Sequence, residues 1–66
     1  MSKFDFTKTE FQYIVDECMF NDELKEIFEM LIKNYSRVQI AMKLNLSERT
    51  LDKRIREIKN KIKKIL

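Results

Sequence analysis

Arg49, Lys53, Arg56 and Asn60 follow one another at spacings of four, three and four, the repeat that stacks side chains along one side of an α-helix. At about 100° per residue they fall opposite Leu51, Ile55, Ile58 and Ile62. A row of such cations binds phosphate, and Arg or Lys can also take guanine O6 and N7 in a major groove. Ser47, Glu48, Arg49 and Thr50 begin the same segment, and the N-terminal end of a helix is the part that reaches base edges. Arg37 and Lys43 precede it as candidates for the phosphate backbone, and Arg54 lies on its flank, also suited to a phosphate. Lys59, Lys61, Lys63 and Lys64 lie further along and supply attraction rather than reading. Asp52, on the shoulder of this arc, is the acid nearest to it.

Other chemistry is scarce. The chain has no His and one Cys, which excludes an intrachain disulfide, the usual zinc sites and any His-based triad or general base. Gly is absent, so no Gly-rich loop can cradle a phosphate. The acid pairs Asp16-Glu17 and Asp22-Glu23 have no His partner and read as solvated faces and a helix dipole contact. Cys18 sits on an apolar face and is expected as a small buried hydrophobe. No enzyme activity and no cofactor is expected.

The charge is unevenly placed. Residues 1–33 sum to −4 and residues 34–66 to +7, within a net +3. Such polarity suits a polyanionic partner for the basic half.

Elements must position these groups, and a chain of 66 residues without Gly or Pro has to mark helix ends with side-chain caps. The expected class is all-α, a single domain of four helices at about 8–19, 22–33, 37–44 and 48–65. Thr7 to Glu10 and Ser36 to Gln39 fit capping boxes, with Phe6/Phe11 and Tyr35/Ile40 as hydrophobic staples. Asn21 and Ser47 cap the second and fourth helices, and Leu46 and Leu51 staple the fourth. Asn34 and Asn45 are expected in the left-handed conformation that closes a helix. Inward faces are Phe11, Ile14, Val15 and Cys18, then Leu24, Ile27, Phe28 and Leu31, then Ile40, Ala41 and Leu44. Phe4, Phe6, Phe11, Phe20 and Phe28 are expected to pack in the core rather than to stack on bases.

A helix of about eight residues, a short turn and a longer basic helix outline a helix-turn-helix. Ala41 is small where the two helices cross, and Asn45 stands where the turn often has Gly. The stretch YSRVQIAMKLNLSERTLDKRIREIKNKIKKIL resembles region four of bacterial sigma factors and, equally, the DNA-binding domain of LuxR-type regulators. With DELKEIFEMLIKN as a support helix the resemblance covers residues 22–66, leaving 1–21 as an N-terminal addition. It implies that Ser47 and Thr50 open the recognition helix and that the basic positions after them meet DNA. Asp52 stands where a basic or small residue is common in those families, which counts against a base contact there. A chain of 66 residues lacks the further domains of either family, so a small stand-alone phage or mobile-element regulator is implied.

The expected function is therefore sequence-specific binding of double-stranded DNA, with residues 48–60 in the major groove. The alternative is a protein-interaction module, such as an antirepressor or a factor that binds RNA polymerase or sigma. That module would show exposed aromatic or aliphatic residues on the outward face of the fourth helix. Ile62, Ile65 and Leu66 prolong the apolar stripe; they either pack against helix one or meet the same residues of a second chain, and a homodimer through them and helix one is expected. Apolar runs are too short for a transmembrane span, and the Met-Ser-Lys-Phe-Asp start does not resemble a signal peptide. A cytoplasmic protein is expected.

Overall fold

The computed structural model describes residues 6–65, which form four helices and, among them, no strand. α1 spans Lys8–Cys18, α2 Asp22–Ile32, α3 Arg37–Leu44 and α4 Glu48–Ile65. The all-α class is thus as expected, and the third and fourth helices keep their expected bounds. α1 and α2 each stop one residue early.

Each start is built by a side chain that accepts an otherwise orphaned N–H. Thr7 Oγ1 accepts from the Glu10 N–H at 3.2 Å while Glu10 Oε1 accepts from the Thr7 N–H at 2.8 Å. Ser36 and Gln39 make the same reciprocal pair at 3.1 and 2.8 Å. Asn21 Oδ1 accepts from the Leu24 N–H at 2.8 Å. Asp22 and Glu23 then place negative charge in the first turn of α2, where the helix dipole favours it.

The first three helices all end alike. Met19, Asn34 and Asn45 have φ of 53°, 65° and 57°, and the N–H of the next residue bonds back five positions. Phe20 donates to Val15 O at 3.3 Å, Tyr35 to Met30 O at 3.1 Å and Leu46 to Ala41 O at 2.8 Å. These are Schellman closures, each followed by an apolar or aromatic residue. The two Asn ends match expectation. Met19 does not: its left-handed backbone closes α1 at Cys18 and shortens the helix by one residue.

Ile14, Val15, Leu24, Ile27, Phe28, Met30, Ile40, Ala41, Leu51, Ile55, Ile58 and Ile62 are buried and form one core. α4 touches each of the other three helices, so its apolar stripe is the common wall. Phe28, fully buried, is ringed by other Phe residues. Phe11 stacks on it at 5.3 Å between centroids, and Phe6 and Phe20 meet it edge-on at 5.8 and 5.6 Å. The staple Phe6/Phe11 is therefore part of a larger cluster centred on α2. Phe4 lies outside the described residues.

One expectation needs correction. Cys18 is half-buried, packed against the edge of the core rather than enclosed by it. Of the two places expected for the end of the apolar stripe, against helix one or against a second chain, Ile62 takes the first: it is buried in the core of its own chain, and Ile65 packs against that core. The cause is contact between α4 and α1, which uses the end of the stripe within one molecule. Leu66 lies outside the described residues. Among the described residues no helix is long and apolar enough to cross a membrane.

Candidate nucleic-acid interface

Burial of Leu51, Ile55, Ile58 and Ile62 fixes the rotation of α4 and turns its other side to solvent. Arg49, Lys53, Arg56 and Asn60 are all exposed there. Arg49, Thr50, Asp52, Lys53 and Arg56 line a shallow concavity of about 430 Å³. A second one, about 350 Å³, continues along the helix past Lys53, Arg54, Arg56, Glu57, Asn60, Lys61 and Lys64. Among the described residues Arg49, Lys53 and Arg56 enter no ion pair, so their charges face outward uncompensated by a direct partner.

The start of α4 is held by hydroxyl chemistry. Ser47 Oγ accepts from the Thr50 N–H at 3.1 Å and donates to Thr50 Oγ1 at 2.9 Å. Both functions of Ser47 are thereby engaged, and the hydroxyl hydrogen of Thr50 is left for an outside acceptor. Glu48 is exposed in the first turn, where it complements the helix dipole.

The remaining candidates are tied to protein groups. Arg37, at the start of α3, pairs with Asp52 of α4. Arg54 Nε donates to Glu23 Oε1 of α2 at 2.6 Å. Lys43 Nζ lies over the Tyr35 ring, 5.9 Å from its centroid, so Tyr35 faces outward rather than serving only as a staple. Of the ten candidate residues, Arg49, Lys53, Arg56 and Asn60 thus form an open row on α4, Arg37, Lys43 and Arg54 are braced cations around it, and Ser47, Glu48 and Thr50 make up the start of the helix. Neither ion pair was legible in the sequence, because opposite charges are common and nothing local marks which ones meet.

The chain matches no protein-family model, no curated protein and no solved structure. Its site therefore has to be read from its own residues. Among the described residues no three His, Cys, Asp or Glu side chains come together as metal ligands. What α4 offers is a ridge of cations bearing shallow, open concavities, which suits an extended polyanion better than a small enclosed ligand. Large exposed hydrophobics lie elsewhere, at Tyr13, Met19, Tyr35, Val38 and Met42.

Proposed function

We propose that this chain is a single helix-turn-helix domain that binds double-stranded DNA sequence-specifically and acts as a small transcriptional regulator. The exposed row Arg49, Lys53, Arg56 and Asn60 carries the reading. Residues 48–60 enter the major groove, where Arg49 and Thr50 approach base edges first because they lie nearest the N-terminus of α4. Lys53 and Arg56 follow along the groove. Arg37, Lys43 and Arg54 sit on neighbouring surfaces where phosphates pass. The eight-residue α3, the three-residue connection 45–47 and the eighteen-residue α4 support the motif.

The described residues extend 28 Å along their longest axis, less than one turn of B-DNA at about 34 Å. One chain therefore reads one short site. A two-fold pair would place two such sites about 34 Å apart.

The deciding experiment is a salt titration of binding to a mixed pool of duplexes, with sequencing of those retained. Affinity falling steeply with salt and an enriched motif are the expected result. A palindromic motif would report a dimer and an asymmetric one a monomer. Absence of binding even at low salt would sink the reading.

A second reading has one observation in its favour. Val38 and Met42, one turn apart on α3, are 55% and 77% exposed, an apolar pair that suits a protein partner such as RNA polymerase or a sigma factor. It is weaker because the outward face of α4 shows cations instead. The same titration separates the two.

A further inference from the structure

Asp52 interrupts the basic face. It lines the same concavity as Arg49, Thr50, Lys53 and Arg56, where a carboxylate repels phosphate and lowers affinity for any duplex. Its pairing with Arg37 does not offset that in stability. With side chains 60% and 43% exposed, such a pair is screened by solvent and contributes little. An acid at this position is disadvantageous for phosphate binding and nearly neutral for folding, which leaves recognition as its use.

We propose that Asp52 determines specificity by accepting a hydrogen bond from the exocyclic amine of cytosine in the major groove, and that Arg37 is its positioning residue. This rests on the DNA-binding reading above. An ionised carboxylate only accepts hydrogen bonds. In the major groove guanine shows two acceptors and thymine an acceptor and a methyl, so both repel it; adenine sets an acceptor beside its amine. Cytosine is the base whose own major-groove edge offers a donor and no acceptor. Arg37 Nη2 pairs with Asp52 Oδ1, and a carboxylate has two oxygens, so one acceptor can serve the arginine and the other a base. The Arg and Lys groups in the same concavity suit guanine O6 and N7, so a G·C pair is read from both bases, the carboxylate on cytosine and a cation on guanine.

The test compares the intact chain with Asp52→Ala and Arg37→Ala. Each is put through selection from a random duplex pool, and its affinity for the intact chain's motif and for random duplex is measured across a salt series. Asp52→Ala is expected to lose a cytosine preference at one position of the motif. The ratio of motif to random affinity should fall about tenfold, within the range of one base contact. Affinity for random duplex should rise, and the thermal midpoint should stay where it was. Arg37→Ala should blur the same position while losing affinity for random duplex, whereas an Arg37 that only attracts phosphate would leave base preference unmoved. An intact chain that selects a motif while Asp52→Ala keeps every position and the same ratio overturns the assignment. An intact chain that binds no duplex at any salt overturns the DNA reading, and this assignment with it.

Discussion

Arg54 of α4 reaches across to Glu23 of α2, its Nε donating to Oε1 at 2.6 Å. The two residues stand 31 positions apart, and their bond joins the acidic half of the chain to the basic half. A guanidinium engaged in this way serves the fold before it serves a ligand. Both side chains are partly exposed, so the pair contributes about 0–1 kcal/mol. Arg54→Ala is expected to lower stability within that range and to weaken DNA binding less than Arg49→Ala or Lys53→Ala. Those two variants should leave the thermal midpoint unchanged and reduce binding by about 1–3 kcal/mol where a base contact is lost, or flatten the salt slope where a phosphate contact is lost. Equal binding by the Arg49→Ala/Lys53→Ala double variant and the intact chain would show that the surface is misassigned.

Core truncations should act oppositely. Leu51 and Phe28 are fully buried, and their replacement by Ala costs about 2–5 and 3–5 kcal/mol respectively. A domain of this size rarely holds more than about 3–5 kcal/mol from one core. Circular dichroism of Phe28→Ala should therefore show a largely unfolded chain at room temperature. Val38→Ala, on the exposed side of α3, is the control, with an expected change within about 0.5 kcal/mol.

Met19 holds a left-handed backbone at φ 53° while its side chain is 84% exposed. That conformation costs an L-residue with a Cβ about 1–2 kcal/mol, and Gly avoids it while giving up some entropy on folding. Met19→Gly should raise stability by roughly 0.5–1 kcal/mol, read as a higher urea midpoint. A midpoint that stays or falls would mean that the strain is relieved in another way.

Burial raises the Cys18 thiol above its ordinary 9.0; Lys61 opposes the rise and Glu17 adds to it. The folded chain thus holds the thiol proton more tightly than the unfolded chain. Stability from this source is whole below 9.0 and is lost as pH rises through that value toward the folded one. Urea midpoints of the intact chain should fall relative to those of Cys18→Ser as the pH rises through 9.0 and above. Alkylation at neutral pH should also be slower folded than in urea. Parallel midpoints would contradict the shift.

Most helix ends were legible because their determinants are local. Thr7/Glu10 and Ser36/Gln39 close hydrogen-bonded boxes across three residues, and Asn34 and Asn45 tolerate the left-handed turn through their own short side chains. The end of α1 carried no such signal. Met19 turns there because the next residue, Phe20, meets Phe28 at 5.6 Å. An aromatic pair worth about 0.5–1.5 kcal/mol, added to burial of Phe surface, outweighs the cost of a left-handed Met.

The candidate site divides along the same line. The row Arg49, Lys53, Arg56 and Asn60 follows from helical period alone, since burying Leu51, Ile55, Ile58 and Ile62 leaves those four side chains no other direction. Which cations stay open was decided by tertiary structure. Arg37 meets Asp52 and Arg54 meets Glu23 only after three helices have docked, because an ion pair depends on distance in space. The same docking turned Ile62 inward against the core: the apolar stripe was written in the sequence, but what covers it depended on where α1 came to lie.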